Sequence, residues 1–325
     1  MILHVFALGF VFLLLISILG NGCVIYIFLK RKEMRSTSNM FIVNLAISDL
    51  IMMLTHGLPV GINIFYQRYW MWGVLNCKLF AMLGGVCGTV SIFTMIMIGY
   101  DRYNVIVKGL SAKKITKMKA FLMISTVWIY AILSTSGPFL GWGAYSLEGF
   151  LITCSYDYIK EDWNAKSFVL YTLITHFFLP LIGVVFYYSQ IAKAVISHER
   201  AMKEQAKKMN VESLRQKSDS SENMEVKIAK VSITNVLLWI ATWSPYAIVV
   251  MIGLSGSYDT LTPIFAGLPS LLLKTNSSLN PVVFAVAHPK YREAIAKEFP
   301  CLGIGKVPPP ARAGDPGTVV TATST

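Results

Sequence analysis

Long apolar runs alternate with short polar stretches along this chain. Seven of the runs, at 2–29, 39–65, 75–100, 119–140, 167–192, 228–253 and 262–287, stand out. A hydrocarbon core about 30 Å thick takes roughly 20 residues of helix, so each run is long enough to span it. In lipid only helices and closed barrels satisfy their own backbone groups, and these runs are too long and too continuously apolar for barrel strands. The pattern predicts an all-α membrane protein: a seven-transmembrane helix bundle. After the seventh run, residues 289–299 alternate basic and apolar positions as a short amphipathic cytosolic helix would. Residues 1–300 therefore read as one seven-helix domain. Residues 301–325, rich in Pro, Gly and Thr, read as a disordered cytosolic tail.

The loops orient the bundle. Lys30, Arg31, Lys32 and Arg35 follow the first span, Lys108, Lys113, Lys114, Lys117 and Lys119 follow the third, and a stretch dense in Lys and Arg at 193–227 follows the fifth. Residues 66–76 hold only Arg68 as a base, and 254–262 hold none. Basic loops stay in the cytosol, which puts the N-terminus outside the cell and the C-terminus inside. The first span starts at Met1 with no basic flank before it, so it reads as a helix of an N-terminally shortened chain rather than as a signal peptide.

Composition agrees. The 325 residues are 54% hydrophobic and 14% charged, with a mean hydropathy of +0.57, whereas soluble domains carry about a quarter charged residues. The net charge of +12 lies on one face and suits anionic lipid headgroups rather than nucleic acid. Five cysteines are too few for a disulfide scaffold and lack metal-ligand spacing. No phosphate loop, metal-type histidine pair or nucleophile elbow points to an enzyme.

Charges at mid-bilayer cost about 2.5–3.5 kcal/mol on insertion scales, so each one needs a reason. Asp49 and Lys274 lie well inside spans, and Asp101 and Arg102 close the inner end of the third. One reading of Lys274 is a lysine paired with a buried carboxylate for structure. The other is a poorly solvated amine that attacks an aldehyde to form a Schiff base. His56 and His176 read as satisfied interhelical groups, and Cys23 and Cys87 as buried thiols. The sequon Asn276-Ser277-Ser278 is rejected because it lies within a span.

Several motifs fall in order: Asn21 in the first span, Asn44-Leu45-Ala46-Ile47-Ser48-Asp49 in the second, and Asp101-Arg102-Tyr103 closing the third. Trp243-Ser244-Pro245-Tyr246 lies in the sixth and Asn280-Pro281 in the seventh. Over about residues 1–300 the chain resembles a rhodopsin-like (class A) G-protein-coupled receptor. Lys274, six residues before Asn280, is at the position where opsins attach retinal. The segments Asp101–Val107, Gly141–Gly149 and His288–Arg292 are similar to those of invertebrate rhabdomeric visual opsins.

That resemblance implies 11-cis-retinal held in the dark as a protonated Schiff base on Lys274. The vertebrate counterion position is occupied here by Phe80, and Glu148, six residues before Cys154, matches the invertebrate one. It implies a Cys77–Cys154 disulfide on the oxidising face, Trp243 against the chromophore, and Tyr246 and Phe80 among the other walls. It also implies a bistable pigment in a photoreceptor membrane, signalling through a Gq-type heterotrimeric G protein and regulated by a receptor kinase and arrestin.

For activation, Pro245 leaves a carbonyl unbonded where the sixth helix can bend. Glu225 is expected to pair with Arg102 in the dark. Asn21, Asp49 and Asn280 are expected to share buried waters or a sodium ion, and Tyr188 to stabilise the active state. Phe284 departs from the family's tyrosine. Cys301 is a palmitoylation position, and Thr318, Thr321, Thr323, Ser324 and Thr325 are phosphorylation positions. Three rival readings stay open: a non-visual opsin or retinal photoisomerase with weak coupling, a receptor for a diffusible ligand, and an ion pump.

Overall fold

The computed structural model describes residues 2–67, 69–208 and 224–300, with side chains left out at 2–7, 67, 110, 203, 205–208, 224–225, 285–287 and 289–290. The tail positions, Cys301 and the Glu225 side chain therefore lie outside the described residues.

Seven long helices follow the seven apolar runs. They are α1 (Ile2–Lys30), α2 (Thr37–Ile62) and α3 (Gly73–Ile106), then α4 (Lys117–Thr135). Next comes α5, a continuous rod formed by Trp163–Thr172, a π-helical stretch at Leu173–Phe178, and Leu179–Lys208. The last two are α6 (Met224–Leu254) and α7 (Pro263–Ala287). The short helix α8 (Pro289–Glu298) follows where the amphipathic pattern placed it.

Starts are encoded locally. Ser36, Thr116, Asp162 and Thr262 each accept a hydrogen bond from the backbone N–H three residues on, capping α2, α4, α5 and α7. Pro263 and Pro289 stand in the first helical turn, where no N–H is required. Several boundaries differ from the sequence reading: α3 runs on to Ile106 rather than 100, and α5 to Lys208 rather than 192, into stretches read as loops. The fourth helix ends at Thr135 rather than 140, because Gly137-Pro138-Phe139 tightens into a 3-10 turn. The loop after it holds an antiparallel hairpin, β1 (Tyr145–Glu148) and β2 (Thr153–Tyr156), too short to register against the apolar background.

Among the described helices six are long and apolar enough to cross a membrane by composition alone. The seventh, α7, has 25 residues, about 37 Å at 1.5 Å per residue. It carries Lys274, Asn276, Ser277, Ser278 and Asn280, all buried inside the bundle. The large side chains of α1 and α4 point outward, with Leu8, Phe12, Leu15, Leu19, Met118, Phe121, Leu122, Ile129 and Leu133 exposed. Apolar surface this continuous is stable only against lipid.

At the centre, α3 touches α2, α4, α5, α6 and the hairpin. Its inner half packs on Phe41, Leu45 and Trp239 through Ile92 and Met95, all of them 0–1% exposed. A disulfide joins Cys77 at the start of α3 to Cys154 in β2, fastening the hairpin across the extracellular mouth. The hairpin turn sits on α7. Gly149 has φ +55°, and a β-carbon there would come within 2.6 Å of Gly267 Cα. Only glycine allows that approach.

Cutting the disulfide with Cys77→Ser is expected to cost about 2–4 kcal/mol. It should appear as a lower thermal midpoint of the detergent-solubilised protein, and an unchanged midpoint would show that packing alone holds the hairpin.

Candidate functional site

Beneath the hairpin lies a cavity bounded by α2, α3, α5, α6, α7 and the two strands. The spacing along α7 sets its chemistry. Lys274 stands one turn after Ser270 and reaches back to it, its Nζ donating to the Ser270 carbonyl at 2.7 Å and to Ser270 Oγ at 3.4 Å. Ser270 Oγ donates in turn to Glu148 Oε1 at 2.6 Å. The other carboxylate oxygen of Glu148 accepts from Tyr246 at 3.3 Å and from Tyr158 at 3.4 Å, and Ser155 is hydrogen-bonded to Tyr246. Lysine and carboxylate are therefore not in direct contact. A serine stands between them, and three hydroxyls bond the acid.

Both charged residues are buried, Lys274 at 5% and Glu148 at 4% exposure. For Glu148, in the loop above the spans, burial pushes the carboxyl's pKa above the usual range. The nearby Lys274 and the three hydroxyls oppose that shift without cancelling it.

Most of the remaining wall is apolar and aromatic, with Leu173 and Phe177 from the π-helical stretch of α5, Trp243, Ala247 and Val250 from α6, and Leu273 from α7, and Thr89 and Thr172 add hydroxyls. Trp243 lies against α3 at Gly88, where a β-carbon would collide with its ring. It stacks on Trp239 at 5.5 Å between centroids, and Trp239 stacks on Phe177 at 5.7 Å. The indole nitrogens of Trp243 and Trp239 are buried without a hydrogen-bond partner.

Of the walls expected from sequence, Trp243 and Tyr246 are in place. Phe80 stands beside the lysine, its ring 4.0 Å from that of His56 and its centroid 6.0 Å from Lys274 Nζ. Both histidines line the cavity. His176 bonds across helices to Ser134 at 2.9 Å, and His56 bonds Met52 and Thr55 within α2 and the Phe80 backbone of α3. Of the two thiols, Cys87 is buried and Cys23 only partly so.

The residues expected to carry the signal lie below. Asn280 donates to Asp49 at 2.7 Å, whereas Asn21 bonds Ser17 and the Ser277 carbonyl, each at 2.9 Å, and has no direct bond to Asp49. Tyr188 donates to the Met95 carbonyl at 3.0 Å. At the cytosolic end Arg102 pairs with Asp101 at 2.5 Å, and Ser38 donates to Asp101 at 2.6 Å. The Tyr103 ring packs on Tyr187 and Phe186. Pro281 lies against α1 at Gly20, where a β-carbon would come within 2.7 Å. Phe284 packs between His288 and Tyr291. Arg102, Phe284 and His288 border a second cavity that opens between α2, α3, α6 and α7.

Two residues of the site escaped the sequence reading: Ser270 and Tyr158. Ser270 was the more accessible of them, since a hydroxyl four residues before a buried lysine shares its helix face. Tyr158 is brought in by the hairpin, which no local pattern announced.

A seven-helix membrane bundle with a buried lysine and carboxylate in a lidded, aromatic-walled cavity defines a ligand-holding receptor class. Residues 20–284 match the 7 transmembrane receptor (rhodopsin family). The chain is 44% identical to "Compound eye opsin BCRH1" of Hemigrapsus sanguineus over 297 residues, 91% of this chain and 79% of that one. It is 43% identical to a rhodopsin of Camponotus atriceps over 318 residues, 97% of this chain and 83% of that one. The crystal structure of squid rhodopsin superposes with a TM-score of 0.81 at 39% identity, over 93% of this chain and 86% of that one. The chain belongs to the rhodopsin family of seven-transmembrane receptors and, within it, to the opsins of invertebrate visual type. It is a light-sensing multi-pass membrane receptor with a G protein as its partner, and not an enzyme.

Because burial raises the Glu148 pKa, its proton is expected to persist after exposed carboxylates have ionised. In the ligand-free protein, an infrared carboxylic C=O band absent from Glu148→Gln should survive as pH rises past 4.5, the ordinary glutamate value. The folded form holds this proton above the unfolded value, so the associated stability is present at low pH and is lost as pH rises through the shifted pKa.

Proposed function

We propose that this receptor is a visual opsin that holds retinal on Lys274 with Glu148 as counterion, is bistable, and signals through a Gq-type G protein. The observation that carries the reading is the hydrogen-bonded path from buried Lys274 through Ser270 to buried Glu148, inside a cavity walled largely by apolar and aromatic side chains. The donor set fits the group: an amine for its aldehyde, an anion for the resulting charge and apolar walls for its hydrocarbon. Retinal, 11-cis in the dark, supplies a Schiff base with the lysine, light absorption and a light-driven change of shape.

The protein's residues do the rest. Glu148, acting partly through Ser270, compensates the positive charge on the Lys274 nitrogen, and Tyr246 and Tyr158 keep the acid oriented. The hairpin with its Cys77–Cys154 bond excludes water from above. Trp243 receives the change in shape, and Pro245, two residues on, gives α6 a place to bend. With the counterion in the loop rather than at position 80, the nitrogen keeps its proton after illumination, so a second photon restores the dark state.

On the cytosolic side, parting of Glu225 from Arg102 opens the cavity beside α3 to the G protein. Residues 1–300 act as one receptor unit, with the N-terminus outside and the C-terminus in the cytosol of a photoreceptor membrane. Cys301 anchors the end of α8 in lipid. The threonines and serine at 318–325 are sites for a receptor kinase and arrestin. A photoisomerase with weak coupling is the second reading, favoured by Phe284 in place of a tyrosine and opposed by the intact Asp101-Arg102-Tyr103.

The deciding experiment is an absorption spectrum of purified protein reconstituted with 11-cis-retinal, before and after illumination. A visible band absent from Lys274→Ala and converting to a second stable visible band is expected. No band in folded protein removes the retinal reading. Glu148→Gln should lower the alkaline pH at which the band is lost, and an unaltered pH response would remove Glu148 as counterion. Light-driven nucleotide exchange on a Gq-type G protein separates the receptor from the photoisomerase. Glu225→Gln should raise exchange in the dark, and unchanged dark exchange would remove the Arg102 lock.

A further inference from the structure

The far end of α8 is tied by charge to the cytosolic end of α1. Glu298 closes α8, and its carboxylate reaches across to two bases in a row. Oε2 accepts from Lys30 Nζ at 2.6 Å, and Oε1 accepts from Arg31 Nη2 at 2.7 Å and Nε at 3.0 Å. The Glu298 side chain is only 12% exposed. Lys30 also donates to Tyr26 Oη at 2.8 Å, and the Tyr26 ring lies 6.1 Å from that of Phe299, the residue after Glu298. An acid is out of place at that end of its own helix, where the last carbonyls favour cations. The other acid of α8, Glu293, pairs along the helix with Lys297 at 2.7 Å. Glu298 leaves its helix for its partners. The near half of α8 is held by packing, with Tyr291, Ala294 and Ile295 at 0–5% exposure, and the helix touches α1 as well as α7. Between α7 and α8 stands His288, with φ −82° and ψ 111°. That residue is extended, so no unbroken run of helix carries motion of α7 into α8.

We propose that Glu298 is a positioning residue: gripped by Lys30 and Arg31, it makes α8 part of the α1 body, so that α8 stays in place when the inner end of α7 moves and offers the G protein a fixed surface. Charge-assisted bonds to both oxygens of one carboxylate fix its direction as well as its distance. A single exposed ion pair would do neither firmly. Without the acid, α8 keeps its buried near half but its far end is free to swing, and a partner must then order it on binding, which weakens the association. Glu298 lines neither cavity, so the pigment and the opening beside α3 do not depend on it.

The first test is amide hydrogen exchange of the full-length protein in a lipid bilayer, which needs neither chromophore nor G protein and so stands whether or not the reading above does. In Glu298→Gln, which keeps the shape and removes the charge, amides at 292–299 should exchange about fivefold faster than in the parent, with those of α3 unchanged. Exchange equal to the parent's overturns the proposal. The second test is light-driven nucleotide exchange after reconstitution. Glu298→Gln should need about fivefold more G protein for half-maximal rate, with the visible spectrum and the maximal rate unchanged. A parent-like requirement, or a loss confined to the maximal rate, overturns the role in docking. Glu298→Lys should be weaker still, and adding Arg31→Glu to it should recover most of the loss in both tests. A charge-swapped protein no better than Glu298→Lys overturns the clasp.

Discussion

An ammonium and a carboxylate share the extracellular half of a bundle whose outer surface faces lipid, and neither has water to solvate it. Each alone would cost several kcal/mol, so the arrangement depends on their being held together. That takes three separate pieces of chain. The lysine comes from α7, the acid from a two-stranded hairpin, and the remaining hydroxyls from α6 and the segment after β2. Ser270, one turn from Lys274, converts a gap between two charges into two short hydrogen bonds.

The rest of the fold can be understood as what keeps those pieces in register. The hairpin could not hold itself over the cavity with four residues per strand. It is pinned to α3 by the disulfide at Cys154 and to α7 by the glycine contact between positions 149 and 267. α3 is fixed by its central place among four other long helices. The lid is thus as rigid as the bundle, which a counterion requires, because an electrostatic interaction of this kind changes steeply with distance when water is absent.

Below the charged pair the contacts become aromatic. Phe177, Trp239 and Trp243 form one stacked column from α5 into α6, just before Pro245 interrupts the helix bonding. A change of shape against Trp243 therefore meets a stiff column on one side and a weakened helix on the other. The polar contacts farther down are separate small groups rather than one chain, with Asp49 joined to Asn280 and Asn21 to Ser277. Coupling between the two cavities runs through packed helices as much as through hydrogen bonds.

The number of helices, their order and the chemical class of the site were legible in the chain itself. Lipid imposes a length and a polarity on every span, and a charge within a span is conspicuous because it is expensive. Lys274 and Asp49 were found that way, and the ordered motifs made Glu148, Cys77 and Cys154 nameable. Tertiary structure alone decided that Ser270 lies between the charges, that Tyr158 reaches the acid, and that His56 packs against α3 at Gly84. Those facts depend on rotamers and on which helix face meets which neighbour. Local sequence fixes a helix and its ends through caps and propensity, but it does not fix the rotation of one helix against another. That rotation is set by close packing across the bundle, by residues far apart in the chain such as Gly84 and His56 or Gly149 and Gly267.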